Sequence, residues 1–168
     1  MELDQLIKKL DDETRSLFES AVAKAVQFNH FEVTDVHFLS VLFEGDAIPF
    51  MLPKALELSA VLQDMNKWLE KQKNGHEGYP KINQKLVRII FDAWMLASTE
   101  FESIAIKPEY ILVAILENPI CKADLTAISN MLIVLFNLDI KNLISSVLPE
   151  PEAPTNKTFF LFLKHLSI

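Results

Sequence analysis

Cysteine is nearly absent from this 168-residue chain. Cys121 stands alone, so no internal disulfide is possible, and a reducing compartment is the simple reading. Glycine is almost as scarce. Only three occur, and no G-x-x-x-x-G-K-[ST] phosphate loop is present among them. Basic charge is in deficit: 16 Lys and Arg face 23 Asp and Glu, a formal net charge of -7. That balance argues against non-specific nucleic-acid binding, which needs a basic face, and fits neutral or mildly basic protein partners. Long hydrophobic runs are missing as well. The greasiest stretch, Leu125 to Leu138, has 14 uncharged residues, short of the roughly 18 to 20 that a spanning helix needs. It reads as a buried helix, and no membrane partner is expected. Met1 to Leu10 carries charges throughout and lacks an apolar core, so it does not read as a signal peptide, and a cytosolic location is expected.

Half of the residues are hydrophobic and 23% are charged, which excludes disorder as the main state. The length suits about one domain with a core of its own. Within it the chain says nearly the same thing twice. The run Val33 to Glu44 returns as Ile106 to Glu117, 73 positions later, and Leu17, Phe18, Ala21 and Ala25 return 72 positions later as Ile89, Ile90, Ala93 and Ala97. The apolar pattern is kept and the polar residues are not, as expected for two helical units sharing a core. The spacing places one spare residue in the second unit, at Glu102-Ser103. The four alanines mark where helices should approach closely.

The linker belongs in Lys73 to Pro80, which holds Gly75 and Gly78. It divides the core into about 12–72 and 81–148. In the first unit Asp11 or Asp12 can cap a helix to about Asn29, whose Leu17, Phe18, Ala21, Val22, Ala25 and Phe28 form one apolar face. The acidic run Asp11-Asp12-Glu13 suits a solvated helix start. Thr34 reads as the cap of a second helix ended by Gly45, Pro49 and Pro53 bracket a poorly defined segment, and Leu58 to about Lys71 is a third helix. In the second unit Asn83 caps a helix to about Thr99, Pro108 sits where a helix-starting proline is tolerated, and Ile111 to Leu116 is core. Leu125 to Phe136 and Asp139 to Leu148 complete it. No strand alternation is visible, so the fold class is all-α. After Leu148, residues 149–168 read as a Pro-rich linker followed by a short apolar tail, Phe159 to Ile168.

Two helical repeats of about 70 residues, with the segments Arg15 to Ala21, Phe31 to Leu39 and Ala93 to Ser98, resemble the N-terminal domain of Clp-type AAA+ unfoldases. The resemblance covers residues 4 to about 148. Ala93 to Ser98, with Tyr79-Pro80 and the charged segment Glu2 to Leu10, looks more like the ClpV branch than the ClpB branch. ClpV proteins recycle contracted sheaths of the bacterial type VI secretion system. The resemblance implies one pseudo-twofold domain, 1–148, that recognises a helical peptide of a partner and hands it to an AAA+ ring. In a ClpV-like setting that partner is the small sheath subunit, in a bacterial cytoplasm. A stand-alone adaptor or regulator of a Clp chaperone or protease is the alternative. The chain lacks the family's nucleotide-binding loops, so hydrolysis does not carry over: no enzyme, no cofactor and no metal are expected.

The implied peptide groove runs between the first helices of the repeats and takes in Asp11, Thr14, Leu17, Phe18, Ile90, Trp94, Glu109 and Tyr110. Leu17 and Tyr110 are the expected floor, with Glu109 at the rim, where the family carries a carboxylate that helps bind substrate. Asp11 and Ser103 occupy matching edge positions where ClpB-like domains carry Thr and Asp. Each has a plainer role available: apolar residues at helical spacing usually bury, and Glu109 suits the first turn of its helix. His30, Glu32 and His37 cluster in sequence, but two histidines seven apart across a turn do not match H-E-x-x-H. The zinc-deaminase pattern fails likewise at Asp124, where a second cysteine is needed. A structural or solvent-facing role is expected for them, with His37 near the start of its helix. Cys121 has only Lys122 near it in sequence, so a structural thiol is expected.

Overall fold

The computed structural model describes residues 1–47 and 56–147. Pro49 and Pro53, Leu148 at the end of the second unit, and the linker and tail 149–168 lie outside the described residues. Helix α1 (Leu3–Ile7) leads into α2 (Asp12–Gln27), a two-residue strand β1 (Glu32–Val33), α3 (Asp35–Glu44) and α4 (Leu58–Glu70). After the glycine-bearing linker come β2 (Lys81–Ile82), α5 (Gln84–Thr99), α6 (Pro108–Glu117) and α7 (Pro119–Ile128). A 3-10 turn (Asn130–Leu132), α8 (Ile133–Phe136) and α9 (Ile140–Val147) close the described chain. The all-α expectation holds, with the strand pair as an addition too short to leave an alternating pattern.

Helices α3 and α6 form the centre. Eight of the ten residues of each are buried, as expected of helices that are apolar around their whole circumference. Helix α2 packs on α3, α5 packs on α6, and α3 meets α6 between them. Ala21, Ala25, Ala93 and Ala97 are fully buried on the inner faces of α2 and α5. Leu112 on α6 is also fully buried, so Leu112→Ala should cost about 2–5 kcal/mol.

The repeat symmetry extends to individual hydrogen bonds. Asp11 N donates to the Ile106 carbonyl at 3.1 Å, and Asn83 N donates to the Val33 carbonyl at 2.9 Å. The cap residue of α2 is thus tied to the residue before the cap of α6, and the cap residue of α5 to the residue before the cap of α3. The Leu10–Ile106 bridge and the β1–β2 pair, both parallel, are the two copies of that joint. The caps match too: Asp11 Oδ1 accepts from Thr14 N at 2.8 Å, and Asn83 Oδ1 from Lys85 N at 2.9 Å. Of the two candidates for the first cap, Asp11 takes the position and Asp12 begins the helix. Left-handed backbone recurs at Asn29 (φ 54) and Glu102 (φ 49), 73 positions apart. The spare residue therefore falls at Phe101, one position before the Glu102-Ser103 expected from spacing.

One expectation is corrected, and the leading segment adds a helix. Leu125 to Leu138 is not one buried helix. Helix α7 begins earlier, at Pro119 with Asn118 as its cap, and ends at Ile128; a 3-10 turn and α8 follow, with Ile133, Val134 and Leu138 exposed. Ser129 and Asn130 break the run because both residues favour local turns over helix interiors. The leading segment is also more than charged sequence. Leu3, Leu6, Ile7 and Leu10 are spaced for a helix face; Leu6 and Leu10 are buried, and α1 lies on α5.

The two repeats are locked by charge as well. Lys85 Nζ, at the start of α5, lies 3.1 Å from Asp35 Oδ2 and 2.9 Å from Asp124 Oδ2, joining α3, α5 and α7. Asp35 is buried, and its Oδ2 has this ion pair but no well-formed hydrogen bond. Among the described residues no helix is long and apolar enough to cross a membrane.

Candidate functional site

Five of the eight expected groove residues gather around the Leu10–Ile106 bridge. The Ile106 carbonyl accepts from Asp11 N and, at 2.9 Å, from Thr14 Oγ1, while Ile106 N donates to the Lys9 carbonyl at 2.7 Å. Thr14 is fully buried by this arrangement. Lys9 reaches on to lay its ammonium 4.8 Å from the centre of the Trp94 ring, and Trp94 is half-buried against the core. Such a contact is worth on the order of 0.5–1 kcal/mol where solvent reaches it.

Glu109 follows Pro108 in the first turn of α6 and is only 8% exposed. Burial raises its carboxyl above the usual range; its own backbone N–H and Lys107 work against that, while Asp11 and Glu13 add to it. This carboxylate therefore sits largely out of water, with two other acids facing it. Tyr110, 2% exposed, stacks on Phe101 with ring centres 5.0 Å apart. Burial raises its phenol, the nearby Ser103 hydroxyl works against that, and Glu109 and Asp11 raise it further. Asp11 is half-buried at the edge. The cluster is acidic at its rim and aromatic in its walls.

The other three residues lie elsewhere. Phe18 is buried and packs on Phe38 with ring centres 4.7 Å apart, and Ile90 is fully buried in the core. Leu17 is half-buried and lines a groove of about 740 Å³ between α2, α3 and α4, with Lys24, Phe28, Val41, Asn66 and Glu70. There Lys24 Nζ bonds Ser40 Oγ at 2.6 Å and Glu44 Oε1 at 2.5 Å. Sequence reasoning passed over Lys9, Phe101 and the Lys24–Glu44 pair. The α1 spacing was a usable signal for Lys9; pairs twenty residues apart leave none.

His30, Glu32 and His37 do not converge on one point. His30 Nδ1 and His37 Nε2 are 2.8 Å apart and buried, whereas Glu32 Oε2 accepts from Asn83 Nδ2 at 2.7 Å. His37 sits near the start of α3, where its Nδ1 accepts from the Thr34 N–H at 3.0 Å. The Cys121 thiol is buried and pushed up to about 12, mainly by burial with Asp35 adding to it, so it holds no thiolate at neutral pH.

Two helical repeats joined by reciprocal backbone bridges, with an acidic and aromatic cluster at one bridge, define the class: a double-repeat helical domain with a surface cluster at its repeat joint. No family model and no curated protein matches the sequence. Solved structures do. The N-domain of ClpV from Vibrio cholerae is 30% identical, with a TM-score of 0.70, over 86% of this chain and 86% of that one. A complex of a ClpV N-domain with a VipB peptide is 26% identical, TM-score 0.60, over 85% and 87%. A structure with a peptide from the EAEC T6SS Sci1 SciI protein is 25% identical, TM-score 0.74, over 87% and 92%. The chain belongs to the family of Clp N-terminal domains.

Proposed function

We propose that this chain is a non-catalytic recognition module that binds a helical peptide of a partner protein for delivery to an AAA+ ring. The observation that carries this reading is its likeness, across 85% of its length, to a ClpV N-domain solved in complex with a VipB peptide. In the ClpV-like setting the partner is the small subunit of a contracted type VI secretion sheath, and the place is the bacterial cytoplasm. The frame is the double-repeat domain 1–148, with repeats 12–72 and 81–148, and 149–168 as a tether.

Within that frame the peptide lies over the Leu10–Ile106 joint. Trp94 is the apolar anchor, since it is the half-exposed aromatic of the cluster and large aromatics dominate helix-in-groove contacts. Asp11 and Glu109 form the acidic rim and orient a polar or basic group of the peptide, because a nearly buried carboxylate gains most from an incoming cation. Thr14 and Tyr110 shape the surface from beneath, while Phe18 and Ile90 hold the core behind it. Leu17 offers a separate apolar contact along α2.

Two experiments bear on this directly. In a pull-down, the chain should retain a type VI sheath small subunit; capture of an assembled Clp ring in its place would favour the adaptor role. An ATPase assay of the isolated chain should read zero above buffer, and turnover would remove the non-catalytic part of the proposal.

A further inference from the structure

The first repeat carries a buried pair of titratable rings that the proposed peptide contacts do not use. His30 lies in the turn after α2, next to the left-handed Asn29, and His37 lies in the first turn of α3. His30 Nδ1 and His37 Nε2 are 2.8 Å apart. The other two ring nitrogens settle which atoms carry hydrogen. The Thr34 N–H donates to His37 Nδ1 at 3.0 Å, and the Thr34 hydroxyl, 2.9 Å from the same nitrogen, can donate to it too, so that nitrogen is bare and the neutral ring holds its hydrogen on Nε2. That hydrogen points at His30 Nδ1, which must accept it. His30 then holds its own hydrogen on Nε2, and the nearby Leu69 backbone of α4 favours a proton on this ring. Thr34, His37 and His30 thus form one line of donors directed towards α4.

The second repeat closes the same joint with different chemistry. Ser103 and Tyr110 stand 73 positions after His30 and His37, and there the serine hydroxyl donates to the Ala105 carbonyl at 2.8 Å while lying close enough to the phenol to lower it. Phe28 stacks behind His30 at 5.3 Å, and the spare residue Phe101 stacks on Tyr110 at 5.0 Å. A serine and a tyrosine do not titrate between pH 4 and 8. The histidines do.

We propose that the His30–His37 pair is an acid-released latch. Neutral, it ties the start of α3 and the end of α4 to the turn after α2; protonated on either ring, it opens and loosens the first repeat alone. A protonated imidazole has two N–H groups and no acceptor. A proton on His37 Nδ1 would meet the Thr34 N–H head-on, leaving only Thr34 Oγ1, 2.9 Å away, to accept it, and one on His30 Nδ1 would meet the His37 Nε2–H. The charged groups facing the pair are a second cation or carboxylates already taken. From α2 the nearby charged group is Lys24, a second cation, held by Ser40 and Glu44 of α3. Asp35 of α3 is paired with Lys85 of α5, Glu32 of β1 is taken up by Asn83, and α4 brings the Leu69 backbone. Consistent with this, burial, then His30, then Lys24 hold the His37 ring down to about 4, and burial lowers His30 as well. A depressed histidine contributes stability above its ordinary value near 6.5, and that contribution is lost as pH falls towards 4.

Hydrogen exchange and ring-nitrogen NMR on the full chain test this without any substitution. At pH 7 both rings should show the Nε2–H tautomer. After correction for intrinsic exchange rates, amides of residues 30–38 and the end of α4 should lose at least tenfold in protection between pH 7 and pH 5, while those of residues 103–111 keep theirs. An Nδ1–H tautomer on either ring, equal loss in both repeats, or no loss at all overturns the proposal. The double variant H30S/H37Y, which writes the second repeat's pair into the first, should show flat protection over the same range. If it folds and still loses protection with acid, the latch is not the cause.

Discussion

Glu109 and Tyr110 are neighbours with opposite lessons. Glu109 stands in the favourable first turn of α6, yet burial and the facing Asp11 and Glu13 raise its carboxyl, so its charge is held at a cost. A group with a raised folded value stabilises the fold below its unfolded value, and that contribution is lost as pH rises through the folded one. Glu109→Gln should therefore raise the melting temperature at pH 7, with the gain shrinking to nothing below about pH 4; an equal gain at both pH values would mean the charge is not the reason. Tyr110 reads from sequence as groove floor. At 2% exposure its truncation would damage folding before binding, which makes the half-exposed Trp94 the better probe of a peptide surface. Ala93 is fully buried on α5, so Ala93→Leu overpacks the core and should cost about 1–3 kcal/mol, seen as a clear fall in melting temperature. An unchanged melting curve would place that face of α5 in solvent.

At the scale of elements, the helices announced themselves through caps and spacing. Asp11, Thr34 and Asn83 sit at the helix starts that their chemistry predicts, Gly45 ends α3, and Pro108 opens α6. The two main caps are symmetric but not equal. Asn83 Oδ1 satisfies the Lys85 N–H while its Nδ2 donates to Glu32, so Asn83→Ala should cost about 1 kcal/mol or more in chemical denaturation. Asp11→Ala should cost less than Asn83→Ala, because it also relieves repulsion of Glu109. The reverse order would show that the Asp11 cap is worth more than the repulsion it brings. What spacing did not reveal was the break at Ser129, since an uncharged run has the same composition whether it is one helix or three short pieces. The strand pairs escaped notice for a related reason: two residues carry no period.

For the whole molecule, the repeat was legible because both copies bury the same face, and a shared core preserves apolar positions when polar ones drift. The symmetry reaches the reciprocal bridges Asp11–Ile106 and Asn83–Val33, which no residue pattern encodes. The candidate surface was legible only in part. Asp11, Thr14, Trp94, Glu109 and Tyr110 meet at one joint, whereas Phe18 and Ile90 are core and Leu17 faces the groove between α2, α3 and α4. Helical phase says that a residue faces inward; it does not say how far from the surface the packing leaves it. Titration calorimetry with a helical peptide from a type VI sheath small subunit tests the central claim most directly. The account predicts saturable binding to the wild-type chain, weakened at least tenfold by Trp94→Ala with circular dichroism unchanged, since a hot-spot aromatic is worth about 2 kcal/mol or more. Binding that ignores Trp94 would move the surface away from the Leu10–Ile106 joint, and the absence of any binding would contradict the recognition role itself.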